Sequence, residues 1–180
     1  MLVVVDPIAI EPSSLGTLAD RLASIAIDGA SPSPRGASAR RTHTIPVCYD
    51  PRCAPDLHDA AVTLGLTPAA LVERHSAATY TVECIGFSPG FAYLGGLDPA
   101  LRIARKARPI PRVPPGSVGL AGDTTGVYPH ATPGGWHLIG RTPMPLFDHA
   151  AEPPSRLSVG DSVRFESIGF EAFVRMEGEG

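Results

Sequence analysis

Apolar residues recur along this chain first at helical and then at strand spacing. Residues 1–6 (MLVVVD) form a short apolar run suited to a strand. Leu15, Leu18, Leu22 and Ile25 then return every three or four residues behind Ser13 and Ser14, the spacing of a capped amphipathic helix. The periodicity lapses over residues 28–41 (DGASPSPRGASARR), whose Ser, Pro, Gly, Ala and Arg predict a flexible linker. A strand follows at 44–49 (TIPVCY), placed at a sheet edge because Pro46 has no N–H to give to a ladder. Two helices come next. One runs over 56–64 and stops at Gly65; the other starts at Pro68 behind the cap Thr67 and ends near His75.

From residue 80 onward the pattern is that of strands. Tyr80, Val82 and Cys84 alternate with Thr81, Glu83 and Ile85, which puts the first three on one face. Twelve of the 20 prolines and eleven of the 19 glycines lie between residues 86 and 154, separating short apolar runs at 117–120, 136–139 and 162–165. Turn residues at that density between short strands predict a barrel or closed sandwich. The polar tail after Phe173 is expected to fray. The pattern is therefore α+β, with mixed strands and helices first and a barrel or closed sandwich after them, and the length allows one large domain or a small domain attached to a medium one.

Composition narrows the function classes. With 43% apolar and 18% charged residues the chain is globular, and a net charge of −3 gives no electrostatic reason to expect a nucleic acid or an anionic membrane as partner. No apolar run approaches the length of a membrane span and the N-terminus lacks the flanks of a signal peptide, so a cytoplasmic location is expected. Cys48, Cys53 and Cys84 contain no C-x-x-C pair and suggest reduced structural thiols rather than a disulfide or zinc framework. The six histidines show neither H-E-x-x-H nor H-x-H, so no metal site is expected.

The chemistry concentrates between residues 86 and 148. Phe87, Phe91, Tyr93, Tyr128 and Trp136 each stand beside glycine or proline, and together they suggest a partly exposed apolar groove with polar rims. Arg102, Arg105, Arg108 and Arg112 surround Lys106, the sole lysine. Arg112 precedes a rigid V-P-P-G-S turn that could hold its guanidinium at a pocket rim for a carboxylate or phosphate. His75 falls at the end of a helix, where the dipole favours the protonated ring. Ser117 sits in G-S-V and not in a G-x-S-x-G elbow, and the chain has no G-x-x-x-x-G-K-[ST] phosphate loop.

The blocks PVCYDPRCAPDL at 46–57, GFSPGFAYLGGL at 86–97, RVPPGSVGLAG at 112–122 and GVYPHATPGGWHLIGRTPMPLFD at 126–148 resemble the allophanate hydrolase subunit 1 family. That family is also called KipI or PxpB and corresponds to subdomains C and D of the urea carboxylase carboxyltransferase. The resemblance implies a small α/β N-terminal domain over residues 1–78, which includes the linker and is shortened here relative to the family, followed by a cyclophilin-like β-barrel domain over 79–180. It implies a subunit of an ATP-dependent 5-oxoprolinase, inactive alone, with ATP bound at a site shared with its partners. Those partners are a homologous KipA or PxpC-type subunit and a LamB/YcsF (PxpA)-type protein. Alternatives within the family are KipI-like inhibition of a sensor histidine kinase and an allophanate or urea-carboxylase type carboxyltransferase role. Carried over residue by residue, Phe87, Pro89, Gly90, Phe91 and Tyr93 match one family block. Gly116 and Ser117 match a second, and Tyr128, Gly134, Gly135 and Trp136 match a third, all as substrate-binding positions. His75 and Arg112 are the candidates to meet a substrate carboxylate or phosphorylated intermediate. Ala104 and Ile110 depart from the family's basic loop, which weakens that loop's claim on an anion.

Overall fold

The computed structural model describes residues 40–178. The expected strand at 1–6, the helix after it and most of the linker lie outside the described residues. Seven strands close into a barrel. In chain order they are β1 (Thr42–Cys48), β2 (Thr79–Ile85), β3 (Ala92–Gly95), β5 (Ser117–Ala121), β6 (Thr124–Val127), β8 (His137–Arg141) and β9 (Ser162–Ile168). Around the ring the order is β1-β8-β5-β6-β3-β2-β9, and a parallel β9–β1 ladder closes it where every other pairing is antiparallel. Two further strands, β4 (Ile110–Val113) and β7 (Thr132–Gly134), form a separate ribbon.

The barrel is filled by the alternate residues its strands turn inward, among them Ile45, Val47, Tyr80, Val82, Leu94 and Val163. β5 is buried along its whole length. Val118 and Leu120 enter the barrel, while Ala121 joins a second apolar cluster with Phe91, Val113, Tyr128, Trp136 and Leu138. The wall at β5 thus separates two apolar layers, and the outer one is the aromatic cluster.

Two helices pack on the barrel: α1 (Leu57–Thr63) and α2 (Pro68–Ala77). Thr67 caps α2 by accepting the Ala70 N–H at 3.1 Å, with Pro68 in the first turn, as its sequence predicts. Thr67→Ala is expected to cost about 1 kcal/mol, checked as a shift of the urea midpoint with an unchanged slope. Asp56, ahead of α1, accepts the Leu138 N–H at 2.8 Å and the Lys106 ammonium at 2.5 Å, which ties the helix to β8 and draws the sole lysine into an ion pair.

The structure corrects four readings. The boundary placed after residue 78 falls inside one compact unit, because β1, α1 and α2 belong to the barrel that begins near residue 40. β1 is not an edge strand. It closes the barrel, and Pro46 is tolerated because β1 meets β8 only at Cys48↔Arg141. Cys84 is exposed instead of sharing a face with Val82, since a bulge between the two shifts the register. The C-terminal segment is helix α3 (Phe170–Gly178). It is anchored by buried Phe173, by the Arg52 guanidinium 3.4 Å above the Phe170 ring and by an Arg141–Glu177 pair at 2.8 Å. Cys48 and Cys53 pack against Phe173, and burial pushes the Cys53 thiol up to about 12, which suits structural thiols.

Candidate functional site

The loop between β2 and β3 is built from two consecutive turns. Ser88 N–H bonds to the Gly86 carbonyl at 2.9 Å around Phe87, whose φ of 70° makes it the one non-glycine residue with positive φ among the described residues. Phe91 N–H then bonds to the Ser88 carbonyl at 3.1 Å, with Pro89 and Gly90 (φ 76°) at the central positions of a type II turn. Glycine is required at 90 twice over, because a Cβ there would lie 2.7 Å from the Phe147 ring. The result presents the Phe87 side chain 62% exposed on a backbone that a bulky residue adopts only under strain.

All five aromatics singled out from the sequence come together. Phe91 lies at the centre, with ring centroids 5.5 Å from Phe87, 4.8 Å from Tyr93, 5.1 Å from Tyr128 and 5.4 Å from Trp136, every pair edge to face. The expected open groove is not what they form. Phe91, Tyr128 and Trp136 are buried, so the cluster is a filled core and Phe87 is its exposed member. Gly134 on β7 rests directly on the Tyr128 hydroxyl. Burial pushes that phenol up to about 12, against the opposing pull of a Trp136 backbone hydrogen bond and nearby Arg105.

The other candidates divide. Gly116 and Tyr128 line a cavity of about 190 Å³ together with Arg141 and Met144. Ser117 is buried, and its carbonyl accepts the Tyr128 N–H at 2.9 Å, a backbone role. Gly135 accepts the Lys106 N–H through its carbonyl at 2.8 Å. Arg112 is exposed on the ribbon while its neighbour Val113 enters the aromatic cluster, so strand alternation turns the guanidinium away from the rings.

His75 moves furthest from expectation. It is fully buried inside the barrel, stacked on Phe165 with centroids 4.6 Å apart. Thr125 Oγ1 donates to the Gly119 carbonyl at 2.9 Å, which leaves it to accept from His75 Nε2–H at 3.0 Å; His75 Nδ1 then accepts from the Tyr49 hydroxyl at 2.8 Å. The helix dipole expected to favour the protonated ring is overridden by burial, which pushes its pKa down to about 3. The ring is neutral, satisfied and out of reach of a ligand.

Sequence reasoning missed a second hollow. Arg41, His43, Phe147 and Arg156 border a pocket of about 370 Å³, with Asp161 behind it. Burial pushes the Asp161 carboxyl up, but hydrogen bonds from His43 and from the Arg41 and Ser158 N–H groups outweigh it and hold the pKa below the ordinary value. No local motif marks this pocket, because its walls come from positions more than a hundred residues apart.

The family described as carboxyltransferase domain, subdomain C and D, matches residues 1–157. The chain belongs to that family. Among relatives of this carboxyltransferase-domain chain, a protein of Escherichia coli O157:H7 named as a 5-oxoprolinase subunit is 52% identical over 121 residues, covering 67% of this chain and 56% of that protein. The protein of the same name from Bacillus subtilis is 46% identical over 129 residues, covering 72% and 54%. The chain thus spans little more than half the length of these relatives. A crystal structure of a conserved uncharacterised protein from Pyrococcus horikoshii superposes with a TM-score of 0.72 at 35% identity, covering 94% of this chain and 75% of that one. Kluyveromyces lactis urea carboxylase shares the fold, with a TM-score of 0.62 at 18% identity over 78% of this chain and 15% of that one. The closed barrel with flanking helices is the α+β architecture that the sequence blocks implied.

Proposed function

We propose that this chain is a subunit of an ATP-dependent 5-oxoprolinase, opening a cyclic amide to glutamate together with a homologous partner subunit and a LamB/YcsF-type protein in the cytoplasm. The observation that carries the reading is its 46–52% identity to proteins named as 5-oxoprolinase subunits. The chemistry fits a shared site. A five-membered lactam is a resonance-stabilised amide whose opening needs coupling to ATP and exclusion of bulk water, which two clasped chains can provide. With no phosphate loop in the sequence, ATP is assigned to a site shared with the partners. The exposed Phe87 face is where this chain would meet the substrate, and Arg112 would reach a carboxylate or phosphorylated intermediate brought by the closing partner. His75, enclosed in the barrel, supports the site from within.

The test is glutamate release from 5-oxoproline and ATP by the full chain, alone and with both partner proteins. Turnover in the complete mixture alone supports the reading, and no turnover from a stably assembled complex overturns it. Phe87→Gly is expected to leave stability within about 1 kcal/mol of the parent, since relief of backbone strain offsets the lost ring contacts. Turnover of the complex should fall by up to about tenfold, the worth of one aromatic contact. Parallel urea melts and rate measurements check both halves. Arg112→Ala with undiminished turnover would remove that residue from the site.

A further inference from the structure

Residues 145–156 form no strand of the barrel, yet they fold back on themselves. Phe147 and Ser155 pair as an isolated antiparallel bridge, Asp148 N–H donates to the Pro154 carbonyl at 2.8 Å, and Arg156 N–H donates to the Leu146 carbonyl at 3.0 Å. Together with Arg41 and His43, at the start of β1, this segment borders the hollow of about 370 Å³. Pro145, Leu146, Phe147 and Pro153 give it apolar walls, and Arg41 and Arg156 bring two cations to the same space. Both arginines are anchored. Arg156 Nε–H donates to the Pro145 carbonyl at 3.2 Å; Arg41 N–H donates to Asp161 Oδ1 at 3.2 Å, and the Arg41 carbonyl accepts the Ser162 N–H at 2.8 Å.

The carboxylates beside the hollow are already engaged. Asp161 accepts from Arg41 N–H, from Ser158 N–H at 3.0 Å and from the His43 ring at 2.8 Å. Because that carboxyl is held ionised, the proton of the pair sits on His43 Nε2, and the ring is fixed as a wall of the pocket. Asp148 is exposed to water and accepts the Ala150 N–H at 2.9 Å. By contrast, among the described residues neither the Arg41 guanidinium nor the terminal nitrogens of Arg156 have a hydrogen-bond or ion-pair partner.

We propose that Arg41 and Arg156 form a binding site for a small carboxylate that carries an apolar body. A guanidinium fork receives a carboxylate through two parallel hydrogen bonds, and the proline and phenyl faces cover an apolar group taken out of water. A phosphomonoester shares the guanidinium chemistry, but the charge balance favours a monoanion. Two unpaired cations, opposed at the rim by Asp148, match one negative charge, and a dianion brings one more than they can offset. The pocket is independent of the oxoprolinase reading, since no step of that reaction is assigned to it.

The test is a ligand-observed NMR titration of the full chain with phenylacetate. Three comparison probes accompany it: phenylacetamide keeps the body without the charge, acetate keeps the charge without the body, and phenyl phosphate is largely a dianion at neutral pH. Wild-type protein should bind phenylacetate about tenfold more tightly than phenylacetamide or acetate, and more tightly than phenyl phosphate. Arg41→Gln and Arg156→Gln should each weaken phenylacetate binding by about fivefold to tenfold. Arg102→Gln, in a residue that borders a different hollow, should leave it unchanged. All three arginines are exposed, so urea midpoints of the variants should stay close to that of the parent. The proposal is overturned if phenylacetate shows no saturable binding, if phenylacetamide or acetate binds as well, or if both pocket substitutions are without effect. An equal loss in Arg102→Gln would overturn it too, by reducing the binding to diffuse attraction toward a cationic surface. Tighter binding of phenyl phosphate would replace the carboxylate with a phosphate and refute the charge argument.

Discussion

Replacing Gly116 by alanine is expected to destabilise the chain by about 3–5 kcal/mol, the sum of left-handed backbone strain and forced displacement of packed backbone. Gly116 has φ 79° in the turn that feeds β5, and an added Cβ would lie within van der Waals overlap of the Thr142 carbonyl oxygen. That oxygen belongs to backbone and cannot swing aside. The neighbourhood is pinned, because Gly116 N–H donates to the Tyr128 carbonyl at 2.7 Å and the Gly116 carbonyl accepts the Thr142 N–H at 2.9 Å. Gly122→Ala is the control. Its φ of 62° carries the same strain, but nothing stands within 4 Å of its Cβ, so a loss of only about 1–2 kcal/mol is expected there. Urea unfolding of the two variants separates strain from overlap, and equal losses at both positions would show that the Thr142 contact does not hold. Since a domain's total stability is about 5–15 kcal/mol, the Gly116 change alone threatens folding.

The barrel was legible in the sequence because its strands obey local rules: short apolar runs, alternation, and glycine or proline at each reversal. Thr67 and Pro68 marked the start of α2 for the same reason, as a cap is a local hydrogen bond. What the sequence concealed depends on contacts between distant segments. β1 reads as an edge strand until β9, some 120 residues later, pairs along its full length. The end of the chain reads as a polar tail, and becomes a helix only because Arg52 and Arg141 meet Phe170 and Phe173. At the candidate site the aromatics could be gathered from composition, yet their filling of a second core rather than a groove depends on the β4–β7 ribbon.

His75 is the source of an acid sensitivity. Its folded pKa is depressed to about 3 from an ordinary 6.5 by burial, so between those values the unfolded chain holds the proton and the folded chain does not. Stability therefore rises with pH across that window, is complete above 6.5, and is progressively lost as pH falls toward 3, by about 4 kcal/mol for a shift of this size. The depressed carboxyl of Asp161 acts with the same sign, but its contribution is present above the unfolded carboxyl value near 4 and is lost below it. The interval from about pH 4.5 to 6.5 lies above that carboxyl range. His75→Gln keeps one donor and one acceptor for Thr125 and Tyr49 while removing the titrating ring, so urea stability of that variant should vary less with pH in this interval than that of the parent. Coincident slopes would mean that the ring is protonated in the folded chain. In that case Tyr49 could not donate to Nδ1, and the line of hydrogen bonds from Tyr49 through His75 and Thr125 to Gly119 would have to reverse or break. The buried ring is in this way tied to the outer wall, because Gly119 also packs beneath Trp136 and a disturbance inside the barrel reaches the aromatic cluster through that strand.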